Sequence, residues 1–126
     1  MKSVISAAGI LIFIIILVTV SYVYTDRIVT DMLGRIDKNE KFVAKNDWEQ
    51  AENEINEIRE IWQKSRKIFA LIANHSLTEG IDESLAKIKY AVKLRKNDDF
   101  YLELGPAKLR VHNLLEHQEL SLSNLF

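Results

Sequence analysis

The stretch DWEQAENEINEIREIW, from Asp47 to Trp62, decides the fold of this 126-residue chain. Along it and beyond, positions alternately three and four residues apart are apolar in seven cases of eight. These positions are Trp48, Ala51, Ile55, Ile58, Trp62, Ser65, Phe69 and Ile72. Such a heptad pattern predicts a long helix that buries one seam, with both tryptophans in that seam. The acidic residues fall off the seam and are expected to form a solvated or partner-facing flank: Glu49, Glu52, Glu54, Glu57 and Glu60.

Capping signals divide the rest of the chain after residue 26 into further helices. Asn46 or Asp47 is expected to cap the acidic helix, in a capping box with the residue three positions on. The sequence SLTE at 76–79 is another capping box, and KNDD at 96–99 marks the next turn. The chain is therefore predicted to form helices over about residues 26–44, 47–74, 79–96 and 98–118.

Apolar stripes on these helices predict that they pack together. The inward residues are expected to be Ile28, Met32 and Ile36, then Ile81, Leu85, Ile88 and Val92, then Leu104, Val111, Leu114 and Leu115. The predicted fold class is all-α, with residues 26–126 forming an antiparallel three- or four-helix bundle or an array of helical hairpins. The tail residues Leu120, Leu122, Leu125 and Phe126 are expected to dock along it.

Two details of the bundle follow from charge and from proline. If the second and third helices fold back on each other, Glu57 and Glu60 come level with the basic run Lys89–Lys96. Opposed charge blocks of this kind favour the antiparallel register. Pro106 follows Gly105 inside the fourth helix, and a proline removes one helical hydrogen bond. A kink or a fresh helix start is therefore expected at Pro106.

The first 25 residues have the character of a transmembrane anchor. Residues 3–25 contain no charged residue, and these 23 residues span roughly 34 Å as a helix, enough for a bilayer core of about 30 Å. The alternative is a cleaved signal peptide, but its apolar core would be shorter and Val18–Thr25 matches a cleavage site poorly. The segment is expected to remain uncleaved and to continue as one helix to about Ala44.

The orientation of this span is expected to place the bundle outside the cytoplasm. Counting basic residues is ambiguous, because Lys2 lies on one side and Arg27, Arg35, Lys38 and Lys41 lie on the other. Long domains translocate largely regardless of charge, and the segment before the span is very short. We therefore expect the N-terminus in the cytoplasm and residues 26–126 on the extracytoplasmic side.

Composition and motifs give little support for a catalytic, cofactor-binding, metal-binding or nucleic-acid-binding site. The balance of 17 basic and 18 acidic residues, net charge −1, gives no basic face for nucleic acid, and the absence of cysteine excludes disulfides and thiolate chemistry. No phosphate loop or catalytic signature occurs. His112 and His117 are five residues apart and do not share a helix face, while His75 is expected in a loop. We therefore predict no catalytic, cofactor-binding or metal-binding residues and no cofactor.

The chain resembles the bacterial family known as domain of unknown function 4363. The resemblance rests on DWEQAE after a single span, Trp62, the NHS around His75, the helix from Ile81 to Leu94, and the closing ELSLSNLF. It covers nearly the whole chain, and the LGP at 104–106 departs from the unbroken helix expected there. The resemblance implies a small membrane protein of Gram-positive bacteria, encoded near another small membrane protein, and it implies no known activity.

Three classes of function are compatible with these observations. The first is a membrane-anchored interaction or scaffolding module without catalysis, whose partner is another small membrane protein. Ser6, Ala7, Ala8 and Gly9 would give that partner's span a smooth surface to approach. The second is an accessory ligand-sensing bundle, and the third is an enzyme. The long apolar seams and the lack of any motif favour the first.

Overall fold

Four α-helices make up the part of the chain that the computed structural model describes, which is the backbone of residues 1–125 and the side chains of residues 1–118. They are α1 (Lys2–Ala44), α2 (Trp48–Ile72), α3 (His75–Lys93) and α4 (Asn97–Leu125), and this part contains no strand. The all-α prediction is confirmed. The predicted docking of Leu120, Leu122, Leu125 and Phe126 lies outside the described side chains.

The helices form an antiparallel four-helix bundle. α1 and α3 each pack against both α2 and α4, so the four helices occupy the corners of a square. Short turns connect consecutive helices, and such turns make neighbouring helices run in opposite directions. We call the end of the bundle that contains the α2–α3 turn the near end, because it adjoins the apolar segment of α1. The far end contains the α1–α2 and α3–α4 turns.

α1 is a single helix of 43 residues that joins the apolar segment to the bundle without a break, as predicted. Its buried residues begin only at Thr25 and recur every four and three positions: Thr25, Val29, Met32, Ile36, Asn39 and Val43. An 18-residue window of the apolar segment has a mean hydropathy of 2.8 and no buried residue. This helix is therefore long and apolar enough to cross a membrane before it enters the bundle.

The seam of α2 is confirmed over most of its length and differs at its two ends. Its central residues from Ala51 to Phe69 are buried, whereas Trp48 is only half-buried and Ile72 is 38 % exposed. The other departure is Glu54, which is 5 % exposed and not part of a solvated flank as predicted. It lies beside Ile55 on the side of α2 that faces α1, where its carboxylate pairs with Arg35 and Lys38.

The turn between α2 and α3 is tighter than predicted. α2 ends at Ile72, and the Asn74 side chain accepts a hydrogen bond of 2.9 Å from the backbone N–H of Ser76. Asn74 is thus the N-cap, and α3 begins at His75, four residues before the predicted start. The prediction that His75 lies in a loop is wrong, because Asn74 caps the helix upstream of the predicted Ser76 capping box.

α4 passes through Pro106 as one continuous helix, so the predicted fresh start does not occur. Gly105 and Pro106 both lie on the exposed side, whereas Leu104 and Ala107 beside them are buried. The missing N–H therefore lies towards solvent, where water can satisfy the unpaired carbonyl. The buried contacts on either side keep the helix in register despite a cost of about 3 kcal/mol for an internal proline.

Charge pairing between α2 and α3 also differs from the prediction. Glu57 bonds to Arg35 of α1 at 2.7 Å, and Glu60 pairs with Lys64 one turn along its own helix. The hairpin is compatible with the predicted level of the acidic pair and the basic run. The two glutamates nevertheless bind Arg35 and Lys64 and not that basic run. The pairing depends on the direction in which each side chain points around its helix. The linear sequence did not specify that direction.

Candidate interaction surface

Trp62, the most conspicuous residue of the opening stretch, has a structural role. Its ring is 1 % exposed and stacks on Phe69 with centroids 5.8 Å apart. The indole Nε1 donates a 2.6 Å hydrogen bond to Asp82 of α3, and Arg66 donates from Nε to the other carboxylate oxygen at 2.8 Å. The tryptophan therefore joins α2 to α3 through the core, and its one polar side-chain atom, Nε1, is hydrogen-bonded.

The buried Glu54 connects α1 and α2. Its Oε1 accepts a 3.3 Å hydrogen bond from Arg35, and its Oε2 lies 3.7 Å from Lys38 Nζ. Burial disfavours the charged guanidinium, but Asp31, Glu57 and Glu54 together raise the pKa of Arg35 above its usual value. This cluster holds two helices together, and nothing in its geometry resembles a paired-carboxylate catalytic site.

The other two helix interfaces are joined by similar polar contacts. Between α3 and α4, the Ser84 hydroxyl donates to Glu103 at 2.8 Å, and Arg110 donates to both Ser84 and Glu103. Between α1 and α4, Lys108 lies 2.8 Å from Asp37. Its hydrogen bond with Asp37 raises the pKa of Lys108, so this cation stays charged throughout the ordinary pH range.

His75 and His112 each contact one carboxylate on the surface of their own helix. His75 is 77 % exposed and lies 2.9 Å from Glu79, while His112 is half exposed and lies 3.5 Å from Glu116. Each pair is a single-turn contact on the helix surface. Among the residues that the structure describes, no group of three or more His, Asp or Glu side chains could hold a metal ion.

The most distinctive surface is an apolar patch towards the far end, on α3 and α4. Tyr90, Leu94 and Leu102 are 65 %, 58 % and 75 % exposed, and we call these three residues the distal patch. They line a groove of about 420 Å³ between the two helices. The remaining lining residues are Lys87, Ala91, Lys96, Asp99 and Glu103. Large apolar side chains gathered in a groove with a polar rim are typical of protein-binding surfaces.

The rim of the distal patch is rich in uncommitted positive charge. A second groove of about 310 Å³ meets the first at Tyr90 and is lined by Arg59, Ala86, Lys89 and Lys93. Lys87 bonds to Glu83 at 3.0 Å, which raises the pKa of Lys87. Lys93 is exposed and Lys89 is half-buried, and neither forms an ion pair within the described part of the chain. Their charge is available to a partner.

Sequence reasoning did not identify the distal patch, although a signal was present. Tyr90 on α3 and Leu94, the residue that caps its C-terminal end, lie four residues apart and off the inward stripe of Ile88 and Val92. Leu102 is likewise off the stripe of α4 that contains Leu104. Apolar residues off the seam on two separate helices become a surface only when the bundle brings those helices side by side.

Comparison with known proteins identifies a family but no relative with an assigned role. No curated protein and no solved structure matches the chain. The family model described as domain of unknown function (DUF4363) matches residues 19–125, which includes the last part of the apolar segment and nearly all of the bundle. The chain therefore belongs to the DUF4363 family.

Proposed function

We propose that this protein is a membrane-anchored, non-catalytic interaction module that holds a second membrane protein against its distal patch. The observation that supports this most is the patch itself, three large apolar side chains that are each more than half exposed. Their rim includes Lys89 and Lys93, which form no ion pair within the described part of the chain. Leaving such a surface bare in water is unfavourable, so a covered state is the expected working state.

The continuity of α1 supports the anchored part of the proposal. A span that continues into the bundle as one helix holds the bundle at a set height, without a flexible linker. Trp62 of α2 contacts Asp82 of α3, and Glu54, eight residues earlier, contacts Arg35 of α1. Counting along these antiparallel helices puts Tyr90 and Leu94 near the level of residues 36–40, roughly 15–20 Å farther from the membrane than Asp26. A partner in the same membrane would meet the patch at this height. We place the bundle on the extracytoplasmic side, because long domains translocate largely regardless of charge.

Charge complementarity specifies the partner's chemistry. An amphipathic helix could lay an apolar stripe over Tyr90, Leu94 and Leu102, as helices do when they bind in grooves. Acidic residues beside that stripe would face Lys89 and Lys93. We therefore expect a membrane protein with an acidic amphipathic helix close to its span, and no nucleic acid.

The absence of catalysis is part of the proposal and is supported by how the polar groups are used. Asp82 is committed to Trp62 and Arg66, and Glu103 to Ser84 and Arg110. These side chains bind each other across helix interfaces, and Glu103, although it lines the distal groove, is held by Ser84 and Arg110. Their arrangement favours a structural role over a reactive one.

Site-specific photo-crosslinking in native membranes tests the proposal. A benzophenone amino acid at Leu102 should capture one membrane protein, and the same protein should be captured from position 94. Lys93→Glu should weaken the crosslink several-fold by repelling the acidic helix, whereas Lys45→Glu, the same change of charge in the α1–α2 turn, should leave it intact.

Three results would count against the proposal. They are captured proteins that differ between the two positions, a partner without an acidic amphipathic segment, and equal loss with Lys93→Glu and Lys45→Glu. The last result would show that overall charge, and not the rim of the distal patch, governs the interaction.

A further inference from the structure

The α2–α3 turn at the near end differs in character from the two turns at the far end. Between Lys67 and Glu79 the sequence is IFALIANHSLT, eleven residues without an acidic or a strongly basic side chain. The far-end turns are charged, with Lys45 and Asp47 in one and Arg95 and Lys96 in the other. The near-end turn thus lacks the acidic, lysine and arginine side chains that both far-end turns carry.

Three large apolar side chains protrude at the near end. Leu71 is 87 % exposed, Ile68 is 44 % exposed and Ile72 is 38 % exposed, and we call these three residues the near tip. Phe69 between them is buried in the core. The near tip is therefore a surface feature and not part of the bundle seam.

The contacts between α1 and α2 place the near tip at the level of the apolar segment. The rings of Tyr24 and Phe69 have centroids 5.9 Å apart, so Phe69 is level with the last turn of the uncharged stretch, just before Asp26. α2 continues past Phe69 in the direction of the apolar segment, which brings Leu71 to about the level of Ser21. At about 1.5 Å per residue, Leu71 lies roughly 7 Å deeper than Asp26.

A contact of α4 supports the same register. The Gln118 side chain donates a 2.9 Å hydrogen bond to the Ser21 hydroxyl, which lies within the uncharged stretch of residues 3–25. Two different helices of the bundle thus contact α1 below the level of Asp26. The near end of the bundle overlaps the last part of the proposed span.

We propose that the near tip inserts into the membrane interface, as a second attachment beside the span. This inference rests on the proposed anchoring by α1. A depth of roughly 7 Å agrees with the about 5–10 Å to which the apolar faces of interfacial helices are buried. Lys64 lies about one turn above Ile68, and Lys67 directly precedes it. Both are exposed, and their long side chains can extend towards the level of the lipid headgroups. The occupant of this apolar surface is bilayer lipid.

Two attachments have a consequence that one does not. A single span leaves the bundle free to rotate about the long axis of α1. A tip that must stay in the lipid fixes that rotation, and with it the direction in which the distal patch faces along the membrane. A partner in the same membrane would then meet the patch in one orientation.

Single-cysteine labelling of the full chain tests the insertion, and the native chain contains no cysteine to interfere. An environment-sensitive nitrobenzoxadiazole label is attached to Leu71→Cys, Leu109→Cys or Ile14→Cys. Leu109 is a matched control, an exposed leucine at mid-height on α4, and Ile14 lies within the apolar segment. Each protein is reconstituted in phosphatidylcholine and phosphatidylglycerol vesicles with and without doxyl-labelled lipid.

We expect the label at position 71 to emit at shorter wavelength than the label at position 109, and to lose several-fold more fluorescence to doxyl lipid. The label at position 14 should also be quenched. If position 14 is quenched while position 71 behaves like position 109, the near tip lies in water and the inference is overturned although the anchoring stands. If position 14 escapes quenching, the proposed anchoring fails and the inference fails with it. A blue-shifted but unquenched label at position 71 would show that protein covers the tip, which also refutes insertion.

Discussion

Replacing Trp62 by alanine tests the view that this ring joins α2 to α3 through the core. The side chain is 1 % exposed, stacks on Phe69 and donates a 2.6 Å hydrogen bond to Asp82. Loss of a buried large aromatic side chain costs about 3–5 kcal/mol in the free energy of unfolding, because the cavity collapses only in part. We expect Trp62→Ala to fall in this range.

Two further variants separate the contributions. Trp62→Phe keeps a ring against Phe69 but removes the N–H donor, and Asp82 keeps its bond from Arg66. The expected cost is about 1–2 kcal/mol, from a lost hydrogen bond and some lost volume. Trp48→Ala is the matched control, because Trp48 lies on the same helix and is only half-buried. Its expected cost is below about 2 kcal/mol, since less apolar surface returns to water.

The assay is urea unfolding of the full chain in non-ionic micelles, followed by far-ultraviolet circular dichroism. The bundle helices lose their signal while the apolar segment stays helical in the micelle. Comparable denaturant slopes among the variants would show that the same bundle surface is exposed on unfolding. If Trp62→Ala costs no more than Trp48→Ala, the burial argument is refuted. If Trp62→Phe costs as much as Trp62→Ala, the hydrogen bond and not the packing dominates.

Three other predictions follow from the structure. Glu54→Ala should lower the free energy of unfolding by about 1–2 kcal/mol, because Arg35 loses a buried partner but keeps Glu57 and Asp31. Glu60→Ala should lower it by less than about 0.5 kcal/mol. Equal values in the same urea assay would contradict the burial of Glu54. Pro106→Ala should raise the free energy of unfolding by up to about 3 kcal/mol, because it restores a helical N–H on the exposed side, and a decrease would show that the proline is needed for packing. A cysteine at Asp99 should react with a membrane-impermeant maleimide on intact cells, and reaction only after lysis would place the bundle in the cytoplasm.

The local pattern of the sequence was sufficient to predict the helices. The uncharged stretch of residues 3–25 and the apolar stripe after it specify one long helix, because hydrophobicity and its period are properties of neighbouring residues. The seam from Ala51 to Phe69 is specified in the same way, and so is the inward stripe of α3 from Ile81 to Val92. Each of these predictions depended on spacing along one helix, and each is confirmed.

Properties that depend on which helix lies opposite were decided only by the tertiary structure. Glu54 was expected on a solvated or partner-facing flank and is buried within the bundle, because α1 presents Arg35 and Lys38 to that side of α2. A fresh helix start, one of the two outcomes expected at Pro106, does not occur, because buried neighbours on both sides hold α4 in place while the proline faces solvent.

The two surfaces with proposed roles have the same origin. The distal patch combines Tyr90 and Leu94 at the end of α3 with Leu102 of α4. The near tip suggests a membrane contact only because it lies level with the apolar segment of α1. Sequence alone predicted the four helices and most of the stripe that each one buries, although it put the start of α3 four residues too late. Only the packing of the four helices decided which charges meet and which apolar residues remain outside, because those outcomes depend on residues that are far apart along the chain.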